Sequence, residues 1–404
     1  MESEGGHYIL SLGQAAGKGL KPKQKIQSLQ LQDFSAYLAT KVSYRDAVDI
    51  MKRSWHQSEE ENIKKSTFDE RIESAGSILS EAIYSKSETI LADYGVDTSG
   101  IINTETAVPE AAKNPSLPSA KGEKEVRTQI REHNRGRTAD TKVRYGSRTT
   151  DIEDSAERCC YVSIDDVLVK SQKSSRKKGS TREQKFVSNT VVHIQYDGHS
   201  YVLTSLGLDK AMKCTVAFLL FNHLLEDSRL IFFSDGATSI RDAIQKYFAF
   251  RQYSLILDWF HLENKCEQYL SMGVKGSKEK RKAIKKELSD ILWAGNVQKA
   301  KAYISSIPKK NVKNAKHLED LSAYLDHKDP YIACYAIRKE FGLRNSSNLV
   351  ENANDRVVAV RQKKKGMSWS KIGSGALATL KAASINGELS NWIFKKQIGF
   401  KMAV

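Results

Sequence analysis

Proline is scarce in this chain, six among 404 residues. No run is apolar for the roughly 20 residues that a bilayer-crossing helix needs. The opening MESEGGHYIL lacks the basic segment and apolar stretch of a secretory signal. The five cysteines, Cys159, Cys160, Cys214, Cys266 and Cys334, show no CxxC spacing, so zinc ligation is unsupported. Their odd number argues against a disulfide framework, and reduced core thiols are expected. Acid is in deficit: 48 Asp and Glu stand against 64 Lys and Arg, a net charge of +16. These features predict a soluble, cytoplasmic, nucleoid-associated protein whose partner is a polyanion, DNA or RNA first. The plainer alternative is a basic protein whose charge serves solubility alone.

The pattern changes several times along the chain. Residues 1–25 are rich in Gly and Lys and predict a flexible start. Helical periodicity fills 26–95, with a break at Val42–Ser43 and a capped start at Ser66. Three short helices with a tight break suit either a helix-turn-helix DNA reader or an ordinary bundle. Residues 96–157, with Pro109, Pro115 and Pro118 and then a basic polar stretch, read as a linker. From 158 the chain turns strand-like: RCCYVSIDDVLVK, FVSNTVVHIQYD and SYVLTSLGL, the last two joined by a tight link at Gly198-His199. A buried helix, the strand RLIFFSDGA, a helix, the strand YSLILDWFHL and a further helix follow. The order β-β-β-α-β-α-β-α predicts an α/β fold, a mixed sheet with flanking helices, which is the order of the ribonuclease H fold. The assignment is a catalytic domain over 158–262 and 341–404, interrupted by a charged helical insertion at 263–340.

Three carboxylates stand out because each sits where a carboxylate is expensive to place. Asp165 lies in an apolar strand, Asp235 follows Leu230-Ile231-Phe232-Phe233 and precedes Gly236, and Glu351 is on a helix leading into a basic run. Asp165 and Asp166 must point to opposite faces of their strand. The Asp165 face also carries Tyr161 and Ser163 and is the more polar, so Asp165 is preferred. An Asp at a strand's carboxyl end sits where α/β sites form, although Asp-Gly is also an ordinary turn. Three converging carboxylates suit Mg²⁺, with Mn²⁺ as the alternative, and a pair of such ions performs in-line displacement at phosphorus. Phosphate contacts are expected from Lys173, Arg176, Lys177, Lys178, Arg182 and Lys185 in one loop, from Arg361, Lys363, Lys364 and Lys365 in another, and from His261. Trp369 is expected either to pack under the Glu351 helix or to stack on a base.

These blocks resemble a known family. LVENANDRVVAVRQKKKGMSWSKIGSGALATLKA (349–382), SDGATSIRDAI (234–244) with LDWFHLENK (257–265), and YVSIDD (161–166) are similar to the ISLre-type group of bacterial DDE insertion-sequence transposases, distant relatives of Mutator-like and ISL-type enzymes. LWAGNVQKAKAYI (292–304) looks like the family's helical insertion. The resemblance implies a ribonuclease-H-like catalytic domain, a triad of Asp165, Asp235 and Glu351 with Mg²⁺, and recognition of element ends by the amino-terminal region. Synapsis of two ends implies a homodimer or higher oligomer on DNA. The competing readings are a ribonuclease-H-like nuclease without strand transfer and a catalytically inactive DNA-binding derivative.

Overall fold

The computed structural model describes residues 28–54, 63–103, 105–117, 120–150, 152–153, 158–172, 186–346, 353–363 and 367–402. The expected flexible segment 1–25 lies outside them. In chain order the elements begin with α1 (Leu29–Lys41), α2 (Tyr44–Ser54), α3 (Lys65–Asp93), α4 (Glu110–Lys113) and α5 (Glu123–His133). Then come β1 (Cys159–Lys170), β2 (Phe186–Tyr196), β3 (His199–Ser205), α6 (Leu208–Phe221), β4 (Arg229–Ser234), α7 (Thr238–Phe248) and β5 (Ser254–Leu257). α8 (Trp259–Gly273), α9 (Lys278–Trp293), α10 (Val297–Ser306), α11 (Ala315–Lys328) and α12 (Tyr335–Glu340) form the helical insertion. A π-helical segment, Asp355–Ala359, precedes α13 (Lys371–Ile385) and α14 (Leu389–Lys395).

The five strands make one mixed sheet in the order β3-β2-β1-β4-β5. β1–β2 and β2–β3 are antiparallel, β1–β4 and β4–β5 parallel. The β2–β3 turn sits one residue earlier than expected, at Asp197-Gly198, because both residues adopt positive φ, 44° and 77°. Such a pair is what a two-residue hairpin turn of the right twist demands.

Strand alternation assigns the two faces. The even face of β1, with Val162 and Ile164, continues through Ile194 to Tyr201, whose ring stacks on Phe218 of α6 at 4.3 Å between centroids. The odd face is shared. Around Tyr161, Ile231 and Phe233 it packs against Leu262 of α8 and Leu325 of α11. Further along, Asn189, which pairs with Val167, donates to the Ser374 hydroxyl of α13 at 2.8 Å. Asp165 lies on this face between the two helical masses.

The amino-terminal helices are not a separate bundle. Leu31, Phe68, Ile72 and Leu79 belong to the same apolar core as Val162, Phe232 and Leu377. α3 runs on to Asp93 because Ile90 and Leu91 are buried too. The last carbonyls of α1 are taken up by buried cations: Arg361 Nε donates to Ala39 O at 2.8 Å and Lys381 Nζ to Thr40 O at 2.6 Å. Burial lowers the Lys381 pKa to about 8. α3 crosses α13 with Gly76 against the Ala376 backbone, where any Cβ would overlap it. Gly76→Ala is therefore expected to destabilise the protein by about 1–3 kcal/mol despite the better helix propensity of Ala. Thermal melting checks this, and an unchanged or raised midpoint would mean the helices part without cost.

The 96–157 stretch is more than a linker. α5 buries Val126 and Ile130 against Ala336 and Ile337 of α12. Arg148 donates to Asp329 Oδ1 at 2.6 Å, and Glu153 pairs with Arg338. From Glu123 to Glu153 the segment is an arm folded onto the insertion, whereas Val96, Ile102, Val108 and Ala112 before it belong to the core of the sheet. All five cysteines are free and buried. Among the described residues no helix is long and apolar enough to cross a membrane.

Candidate functional site

The register of β1 and β4 brings two carboxylates together. Tyr161 pairs with Ile231, Ser163 with Phe233, and the ladder ends at Ile164–Ser234. The next residues are Asp165 and Asp235. In-register residues of parallel strands point to the same face, so both carboxylates project from the odd face at the carboxyl end of β4. That is where open α/β sheets bind ligands. β5 ends at the same level, with Leu257 paired to Ser234. β1 runs on as far as Lys170 with β2 as its partner. Asp165 is thus the first residue of β1 with no β4 neighbour.

Asp166 is placed differently. It is exposed on the opposite face, and its Oδ1 accepts from Thr190 Oγ1 at 2.6 Å. Of the two adjacent aspartates, the structure brings Asp165 beside Asp235.

Each carboxylate is held. Asp165 Oδ1 accepts from the Asp166 amide at 2.8 Å, and its Oδ2 from Asn354 Nδ2 at 2.6 Å. Asp235 Oδ1 accepts from the Ala237 amide at 2.7 Å. Burial pushes the Asp165 carboxyl above its ordinary range; a charge on His261 opposes this and the charge of Asp235 adds to it. The Asp235–Gly236 turn is fixed from outside by Lys328 of α11, whose Nζ donates to Gly236 O at 2.7 Å. Gly236 has φ 85°, and a Cβ there would come 2.8 Å from Leu257 Cδ1. Only glycine fits that turn without strain.

Asp258, one step beyond β5, is 1% exposed and caps α8, its Oδ1 accepting from the His261 amide at 3.1 Å. This places His261 in the first turn of α8, close enough for its charge to act on Asp165.

The oxygen donors here are of one kind. Beside the two carboxylates stands the Asn354 side-chain oxygen, buried and, among the described residues, without a hydrogen-bond partner. Hard divalent cations such as Mg²⁺ and Mn²⁺ take oxygen donors of this type, so the residues fit the expected ions. Among the described residues no group of three His, Cys, Asp or Glu is placed to hold a metal. Glu351, the expected third ligand, lies outside the described residues. Asp355, one turn later in sequence, is exposed.

The expected phosphate contacts divide. Lys173, Arg176, Lys177, Lys178, Arg182, Lys185, Lys364 and Lys365 lie outside the described residues. Lys363 is exposed. Arg361 is 4% exposed, and besides its bond to Ala39 O it lies over the Tyr44 ring at 5.4 Å. It is committed to the core and not presented to a phosphate. Trp369 is also buried, edge-on to Tyr44 at 5.7 Å, with its indole N–H donating to Gln362 O at 3.1 Å. Of its two expected roles, packing is the one this geometry serves. Val357 is buried but Val360 is 41% exposed, because the π-helical turn before it shifts the helical register.

No protein-family model matches the chain, and no curated protein matches it. Among solved structures it is similar to a chain of the Drosophila P element transposase strand transfer complex. Identity is 10% over 96% of this chain and 85% of that one, with a TM-score of 0.28. A likeness at that level does not establish a shared fold.

Proposed function

We propose that this chain cuts and joins DNA strands with the help of divalent metal ions, as a DDE transposase built on a ribonuclease-H-like sheet. One observation carries the reading: Asp165 and Asp235 each directly follow the last β1–β4 pair, Ile164–Ser234, and stand close enough for the charge of one to act on the other. The 3-2-1-4-5 strand order with β1 at the centre supports it, as does the resemblance of the three acidic blocks to ISLre-type enzymes.

In this reading Asp165, Asp235 and Glu351 hold Mg²⁺ or Mn²⁺. Glu351 stands three positions ahead of Asn354 in sequence, and Asn354 donates to Asp165. The bound ions supply a nucleophile at neutral pH and charge neutralisation at the leaving oxygen. The protein's own groups do the positioning. Asn354 orients one Asp165 oxygen, the Ala237 amide orients Asp235, and Lys328 fixes the turn that follows it. The basic excess of the chain holds the phosphate backbone.

The test is nicking and joining of DNA carrying candidate element ends, with and without Mg²⁺. Metal-dependent nicks together with joined product support the transposase. Nicks without joined product favour the nuclease, and binding with neither product at any end sequence leaves only a DNA-binding derivative.

A further inference from the structure

Arg344 is a cation the carboxylate site does not yet use. It is half-buried, and its guanidinium lies over the Tyr161 ring at 5.2 Å. Among the described residues it has no carboxylate partner and its side chain donates no hydrogen bond to the protein. A desolvated guanidinium without an anion is costly. Its backbone is pinned nonetheless. Arg338 Nε donates to Arg344 O at 3.0 Å, and the next carbonyl, of Asn345, accepts from the Trp259 amide at 3.1 Å at the start of α8. Asn345 Nδ2 in turn donates to Tyr335 O at 2.7 Å.

Two further groups face the same strip. His193 pairs across the sheet with Ser163 and so shares the odd face with Tyr161 and Asp165; it is 7% exposed. Arg356 is exposed on the π-helical segment. Burial, then Arg344 and Arg356, hold the His193 pKa down to about 4, which places both guanidiniums near the imidazole. No described carboxylate acts on His193 or Arg344. The strip begins two residues from Asp165 along β1, roughly 7 Å at the rise of a strand.

We propose that Arg344, with His193 and Arg356, forms a phosphodiester-binding subsite that holds a nucleic-acid backbone beside the Asp165–Asp235 pair. The choice of a nucleic-acid strand as ligand rests on the strand-cleavage reading. A guanidinium stacked on an aromatic ring keeps its forked donors free at the edge, which matches phosphate oxygens.

The test uses the full chain and a fluorescein-labelled DNA duplex. Anisotropy is followed as salt is raised without metal, and cleavage is followed separately in Mg²⁺. Arg344→Gln is expected to make the slope of log affinity against log salt shallower by about 0.9, the loss of one phosphate contact. It should raise KM for cleavage more than it lowers kcat, and Arg344→Lys should restore most of the slope. An unchanged slope overturns the proposal, whether or not the melting temperature falls; a fall would mark Arg344 as packing support. Should Arg344→Gln fail to fold, Arg356→Gln at an exposed position carries the same test. If the wild type binds with an Arg344-dependent slope yet never cuts, the subsite stands and the strand-cleavage reading fails. No binding of DNA by the wild type overturns both.

Discussion

Asp235→Asn is expected to lower metal-dependent strand cleavage by on the order of a thousandfold or more, the scale of loss when one member of a set acting as a unit is removed. DNA affinity should stay within about twofold, because it comes from Lys and Arg on phosphates. Asn is the right replacement. Its side-chain oxygen can still accept from the Ala237 amide, which Asp235 Oδ1 does at 2.7 Å, so the turn into α7 keeps its bond. What is lost is the negative charge that a divalent cation needs beside Asp165. Single-turnover cleavage in Mg²⁺, with melting as a control for folding, decides it. Activity within tenfold of wild type would remove Asp235 from the reaction. The same experiment separates the adjacent aspartates of β1. Asp165→Asn should behave like Asp235→Asn. Asp166→Asn should cut normally, since Asp166 faces away and accepts from Thr190.

The sheet was legible because strands buried on both faces leave long apolar runs, and the hairpin and Asp-Gly turns punctuate them. The choice of Asp165 was legible from parity alone: with Tyr161 and Ser163 on one face, Asp165 follows. Its pairing with Asp235 needed the β1–β4 register, which no sequence pattern carries. The arm reads as linker because α5 buries only Val126 and Ile130 in an otherwise charged helix that follows Pro109, Pro115 and Pro118 and leads into a basic polar stretch. The amino-terminal helices gave no sign that they share the sheet's core, since an apolar stripe does not name what covers it. Arg361 reads as a phosphate contact from its place in a basic run, and nothing in the sequence marks Lys381. Their burial depends on the last carbonyls of α1, which have no partner within the helix and lie more than 300 positions away in sequence. Asn354 and Arg344 carried no signal of their own, being an ordinary amide and a loop arginine. Only their neighbours across the fold, Asp165 and Tyr161, give them meaning.

Arg338→Met should be among the most destabilising single changes in the chain, costing about 3–5 kcal/mol, because it strands a buried carboxylate. Arg338 Nη1 lies 2.7 Å from both oxygens of Glu153, and the side chains are 6% and 3% exposed. The pair ties the arm to α12. Exchanging both partners, Arg338→Met with Glu153→Leu, should recover most of the loss, since well-packed apolar groups replace a buried ion pair at little cost. Recovery should stop short of wild type. Arg338 Nε also holds Arg344 O, and that bond is absent in both variants. Urea unfolding of the two single variants and the double variant gives the coupling, and hydrogen exchange at α5 reports whether the arm loosens first. A cost below about 1 kcal/mol for Arg338→Met is the size expected of a solvated surface pair. It would mean that the arm is held by Val126, Ile130 and the Arg148 contacts instead. Because Arg338 supports the backbone of Arg344, the double variant should also bind DNA with a shallower salt dependence even where its stability has returned, and that separates the arm's structural role from its support of the phosphate subsite.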